Sequence, residues 1–248
     1  MTLPLYIITG TSRGLGFELA RQLLALPCRM LTLARHENVE LTKVSVASGA
    51  TLTQWTVDLE QGMSCATQLE AWLRVQSEAE ATLINNAGVI GGVGPIDTLS
   101  AEQLNAALRI NLEAPLLLTA AFLRATSTWK AERKVLNISS GAGRHAIAGW
   151  SAYCATKAGL DHFSRVTALD EARKLHGAKI VALAPGVIDT DMQTQLRAAN
   201  PAGFPDQSRF IQLHDSGQLS SPQQAAQHVL NFLSRADFGA EPIADVRH

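Results

Sequence analysis

A Tyr and a Lys four residues apart, in Tyr153-Cys154-Ala155-Thr156-Lys157, begin thirteen residues after Ser140 in a chain of 248 residues. On a helix the two side chains share one face, a turn apart. Ser140 follows the apolar run Val135-Leu136-Asn137-Ile138, which reads as a strand, and the loop between contains glycine. A strand-end hydroxyl facing a phenol and an ammonium group would suit proton transfer to a carbonyl oxygen. Taken alone, the pair also reads as an ordinary Tyr and Lys on a helix surface.

The elements that must position these groups alternate along the chain. Strands are expected at 3–8, 29–34, 51–57, 81–84, 133–139 and 179–183, with a short one near Ile243. Helical apolar spacing marks 15–24, 60–79, 101–128, 151–176 and 222–235. Residues 187–220 show little periodicity and read as a mobile region with short helical pieces, with a substrate lid at about 188–220. Such alternation predicts a parallel sheet with helices on both faces. No linker or composition shift divides residues 1–248, so one domain is expected.

Thr9-Gly10-Thr11-Ser12-Arg13-Gly14-Leu15-Gly16 joins the first strand to the first helix. Glycines there permit a tight turn and let a phosphate approach the backbone, while the helix start supplies free N–H groups. Folds of this kind that prefer NAD carry an acid after the second strand, for the ribose 2′-OH. Here Ala34-Arg35-His36 holds that place. A guanidinium can fork onto a 2′-phosphate. Arg35, joined by Arg13, therefore favours NADP(H) over NAD(H).

Composition excludes other classes. A hydrophobic fraction of 46% argues for a globular chain, and a net charge of −1 without a basic block argues against nucleic acid or an anionic membrane. The longest apolar runs contain polar residues that argue against a bilayer span. Cys28, Cys65 and Cys154 show neither pairing nor metal-ligand spacing, as expected of free thiols in a reducing compartment. Residues 1–9 read as a strand and not a leader. A cytoplasmic protein is expected.

The ordered set Thr9–Gly16, Asp58-Leu59, Asn85-Asn86-Ala87-Gly88, Asn111, Ser140, Tyr153-x-x-x-Lys157 and Pro185-Gly186-Val187-Ile188-x-Thr190 resembles the short-chain dehydrogenase/reductase family in its compact form. The match spans nearly the whole chain. It implies an α/β, Rossmann-type doubly wound parallel sheet of about seven strands. It also implies roles for single residues. Tyr153 would exchange its proton with the substrate oxygen. Lys157 would favour the phenolate, whose parent phenol has a pKa of about 10, and hold the nicotinamide ribose. Ser140 would polarise the carbonyl, and Asn111 would position a relay water. The resemblance places Gly10, Ser12, Arg13, Gly14, Leu15, Gly16 and Arg35 on the cofactor phosphates, with Asp58 and Leu59 near the adenine. Asn86, Ala87 and Gly88 would line the cofactor cleft, and Pro185, Gly186, Ile188 and Thr190 the nicotinamide end.

Family spacing selects Ser140 over Ser139, and strand alternation points the two apart. His145 and His162 read as loop and helix-surface residues. Ile90, Trp150, Met192, Phe204 and Phe210 stand where the family builds its substrate wall, which suggests an apolar ketone or 1,2-dicarbonyl. Thr-Ser-Arg-Gly-Leu-Gly, Ser-Ser-Gly-Ala and the tail after 235 are most similar to the sepiapterin reductase and bacterial benzil reductase branch, whose members use NADPH. There Asp245, seven residues after Phe238, would anchor substrate. The resemblance also implies a homodimer, or a tetramer, through helices near 112–126 and 151–175. Two rivals have the same fold. A non-catalytic NADP(H)-sensing protein would usually have lost the Tyr or Lys, and extended-family epimerases and dehydratases carry a further substrate domain.

Overall fold

The computed structural model describes residues 2–247. Among them are the strands β1 (Leu5–Thr9), β2 (Arg29–Ala34), β3 (Thr51–Thr56), β4 (Ala81–Asn85), β5 (Arg133–Ile138), β6 (Lys179–Ala184) and β7 (Ile243–Asp245). They form one parallel sheet in the order β3-β2-β1-β4-β5-β6-β7. The helices are α1 (Gly14–Leu23), α2 (Val39–Ser48), α3 (Gly62–Arg74), α4 (Ala101–Leu108), α5 (Ala114–Ala125), α6 (Ser151–Ala172), α7 (Asp191–Arg197), α8 (Gln207–Asp215) and α9 (Pro222–Leu233).

The central strands are apolar on both faces, as a doubly covered parallel sheet requires. Leu5, Ile7, Leu83, Val135 and Ile180 pack with Leu69 and Leu73 of α3 and Leu118 and Phe122 of α5. Their strand neighbours Ile8, Ile84, Leu136 and Val181 face the other way, against Leu19 of α1 and Val229 and Leu233 of α9. Strand order reverses between β1 and β4, and in such sheets the crevice at that reversal, beyond the strands' C-terminal ends, is where ligands bind.

Several boundaries differ from the sequence reading. The helix expected over 60–79 ends at Arg74. The one expected over 151–176 ends at Ala172, because the chain doubles back: Glu171 Oε2 accepts the Ala178 N–H at 2.9 Å, and Gly177 lies where a Cβ would strike the Glu171 carbonyl. The 101–128 helix is α4, a π-helical turn at Arg109–Glu113, then α5 with Pro115 in its first turn. By length and composition Ala101–Ala125 does suffice for a membrane span, contrary to the sequence reading. Its buried Leu118 and Phe122 belong to the core. Helix α2 has no counterpart in the sequence reading. Asn38 caps it, accepting the Glu40 N–H at 3.0 Å, and Gly49 ends it at φ +73°. The three cysteines are free.

Candidate active site

The glycine loop shapes the floor of the crevice. Gly10 has φ +73°, and a Cβ there would lie 2.8 Å from Ala87 Cα. A Cβ on Gly16 would collide with the Gly10 carbonyl and the Asn86 amide. Helix α1 starts at Arg13 without a side-chain cap and without an acid in its first turn, so its leading N–H groups are available to an anion. Thr9 Oγ1 accepts the N–H groups of Asn86 and Ala87, each at 3.0 Å, and Asn86 Nδ2 donates to Thr9 O at 3.0 Å. Asn86, expected to line the cofactor cleft, also braces the glycine loop through this amide.

Above the loop runs a cavity of about 800 Å³. Gly10, Ser12, Arg13, Gly14, Leu15, Gly16, Arg35, Asp58, Leu59, Asn86, Ala87, Gly88 and Thr190 line it as expected. Val57, Val89, Ile110 and Gln195 line it too, and no motif in the sequence had marked them; Ile90 and Met192, expected on the substrate wall, also line it. Pro185, Gly186 (φ +82°) and Ile188 lie beyond β6 and outside the lining. A glycine cradle that a Cβ would fill, an uncapped helix start and a cavity of this size fit a dinucleotide. Arg35 and Arg13 are exposed at its rim, but Arg13 pairs with Asp191 of α7 at 2.7 Å. Both side chains of that pair are largely solvated, at 69% and 64%. Asp191→Asn is therefore expected to lower Tm by no more than about 2 °C in thermal unfolding.

Behind the cavity the proton-transfer candidates converge. Tyr153 and Lys157 are 6% and 4% exposed. The Ser140 hydroxyl lies beside the Tyr153 phenol, and its oxygen accepts the Ala142 N–H at 3.2 Å. Burial pushes the phenol up to about 12, partly offset by the Ser140 hydroxyl. The lowering expected from Lys157 does not enter: desolvation of the anion sets the direction, and Ser140 alone opposes it. Lys157 Nζ donates to the Ile138 carbonyl at 2.8 Å and stands 5.6 Å from the Tyr153 ring centroid. Burial pushes this ammonium down to about 8, and the Asp161 carboxylate draws it partly back.

Asn111, fully buried in the π turn, accepts the Val89 N–H and donates to the Val89 carbonyl, both at 2.8 Å. A Cβ on Gly88 would lie 3.4 Å from Asn111 Oδ1 and 3.9 Å from Lys157 Nζ, so both groups border one narrow space. π turns recur at functional sites. Ser139 makes a separate contact, donating its hydroxyl hydrogen to Asp161. His145 and His162 are exposed, as the sequence indicated.

On the substrate side, Trp150 stacks on Tyr153 with centroids 4.3 Å apart and planes 6° from parallel. Phe204 and Phe210 meet Trp150 edge-on at 6.3 and 6.1 Å. Ile90 joins this cluster, with Met192 packed against it. The buried Trp150 Nε1 has no hydrogen-bond partner. Asp245 departs from expectation. It is 9% exposed, accepts Arg247 Nε at 2.8 Å and Nη2 at 2.6 Å, and stands 4.0 Å from Arg144. Arg247 holds its carboxyl below the usual range. Pairing of β7 with β6 turns Asp245 toward these arginines and away from the cavity lining.

A model of the short chain dehydrogenase family matches residues 5–201. A benzil reductase ((S)-benzoin forming) of Bacillus cereus is 39% identical, over 94% of each chain. A sepiapterin reductase of Rattus norvegicus is 32% identical, over 94% of this chain and 92% of its own. The crystal structure of the KRED1-Pglu enzyme superposes with a TM-score of 0.80 at 26% identity, covering 96% of this chain and 99% of that one. By the family model over residues 5–201 and by these relatives, this chain belongs to the short-chain dehydrogenase/reductase family of oxidoreductases, in the branch of the benzil and sepiapterin reductases.

Proposed function

We propose that this chain is an NADPH-dependent carbonyl reductase acting on an apolar ketone or 1,2-dicarbonyl. The observation that carries the reading is the Trp150–Tyr153 stack, which sets the buried phenol, with Ser140 beside it, against an aromatic wall. The names of the benzil and sepiapterin reductases, and Arg35 at the cofactor rim, support it.

Gly10, Gly16 and the uncapped start of α1 would hold a reduced nicotinamide dinucleotide, which would supply the hydride. Ser140 donates a hydrogen bond to the carbonyl oxygen and fixes it beside Tyr153. Tyr153, a phenol protonated at neutral pH and made a weaker acid by its burial, gives its proton to that oxygen as charge develops there. Lys157, one turn along, stabilises the phenolate left behind and passes a proton back through the space it borders with Asn111. Trp150, Phe204 and Phe210 exclude water, and the unpartnered indole N–H is free to donate to a second carbonyl oxygen. Residues 188–220, with α7 and α8, act as the lid that delivers Phe204 and Phe210. Val166 and Leu169, exposed at 46% and 69% on α6, are covered in a homodimer of this chain.

NADPH oxidation with benzil, a monoketone and a ketose tests the substrate class. Benzil is expected to exceed the ketose in kcat/KM by at least about tenfold. A ketose turned over as well as benzil sinks this reading.

A further inference from the structure

One buried carboxylate lies close to the proposed proton-transfer pair without touching substrate. Asp161 follows Lys157 by four residues on α6, on the same face and one turn away, and is 2% exposed. A charge buried this deeply needs partners. Oδ1 accepts the Ser139 hydroxyl, and Oδ2 accepts Arg144 Nε at 3.1 Å. Arg144 in turn donates to the Ala244 carbonyl at 2.8 Å and faces Asp245, itself paired with Arg247. A line of fixed charges thus runs from the C-terminal strand to the turn below Lys157.

We infer that Asp161 is a positioning residue: its carboxylate ties the strand end bearing Ser139 and Ser140 to α6 and sets a fixed negative charge one turn from the Lys157 ammonium. The inference rests on the reading of Tyr153 and Lys157 as the proton-transfer pair. Around Lys157 the titratable or charged groups are Tyr153 and Asp161, both from α6, while the Ile138 carbonyl of β5 and the Asn111 amide of the π turn are polar and neutral. Around Asp161 they are Lys157 from its own helix, Arg144 from the turn after β5, and, one step farther, Asp245 and Arg247 from the C-terminal strand. Ser139 from the end of β5 contributes a neutral donor.

The signs follow from this arrangement. Asp161 favours charged Lys157, and Arg144 opposes Asp161. Losing the Asp161 charge makes Lys157 give up its proton at lower pH. Losing the Arg144 charge does the reverse.

The test is the pH–rate profile of kcat for NADPH-dependent benzil reduction by wild type, Asp161→Asn and Arg144→Gln. Isotope-labelled lysine NMR, with Lys157 assigned through Lys157→Arg, follows its titration without reference to activity. Asp161→Asn is expected to move both the alkaline limb and the Lys157 titration to lower pH by roughly one unit, and Arg144→Gln to move both upward. A purely structural role would lower kcat at every pH and leave both midpoints in place. Unmoved midpoints in folded Asp161→Asn, or shifts of the same sign in both variants, overturn the inference. Should Asp161→Asn not fold, an unmoved Lys157 titration in Arg144→Gln overturns it. The catalytic reading fails separately, if Tyr153→Phe retains turnover while the Lys157 titration still moves as stated.

Discussion

Tyr153→Phe is expected to cut benzil-dependent NADPH oxidation by roughly 10²–10⁴-fold, the usual contribution of a positioned acid. The substitution removes one oxygen and leaves the ring. The stack on Trp150, 4.3 Å between centroids, therefore survives, and so does the contact of the ring with Lys157. Cofactor affinity and Tm should stay close to wild type, so a fall in kcat reads the lost proton and little else. The sign of the pH dependence follows from burial. A phenol pushed up to about 12 is protonated across the physiological range, which favours the reductive direction. Oxidation of the alcohol needs the phenolate and should accelerate as pH rises toward that value. Steady-state kcat in both directions, with cofactor titration by fluorescence, checks both points. Full activity in Tyr153→Phe with intact cofactor binding would refute the mechanism.

Arg35→Glu is expected to lower kcat/KM for NADPH by about 100-fold while NADH is little affected, which inverts the preference. A forked guanidinium contact with a 2′-phosphate is charge-assisted and directional, and Glu replaces it with repulsion. Arg35 suits the experiment because it is exposed, follows the last residue of β2 and lines the cavity, so its removal leaves the core untouched. Arg13 is the weaker candidate, since it is held by Asp191 across the cleft mouth. Comparing kcat/KM for the two cofactors decides the matter: an unchanged ratio means that Arg35 does not read the 2′-phosphate.

Where sequence and structure part, the cause is identifiable. Helix α2 escaped the periodicity reading because only Leu41 and Ser45 in it are buried, and a helix that buries so little shows no apolar stripe. Asn38 and Gly49, a cap and a left-handed stop, were the local signals available. The break at Arg109–Glu113 was foreshadowed by Pro115, which suits a helix start. The premature end of α6 was not, since it depends on Glu171 reaching forward to the Ala178 N–H.

From the sequence alone came what depends on neighbours along the chain: the strand–glycine–helix start, the alternation that makes a parallel sheet, and the Ser140, Tyr153 and Lys157 set, whose roles the family resemblance implied. Each is local, because strand and helix periods and turn chemistry act over a few residues. Only the tertiary structure decided what depends on residues far apart. Phe204 and Phe210 close on Trp150, Asp245 turns to Arg144 and Arg247, and Asp161 comes to hold Ser139. The Tyr153 phenol rises and the Lys157 ammonium falls for the same reason. Desolvation is imposed by everything packed around a group, and that environment exists only once β5, α6 and the segment after β6 have come together.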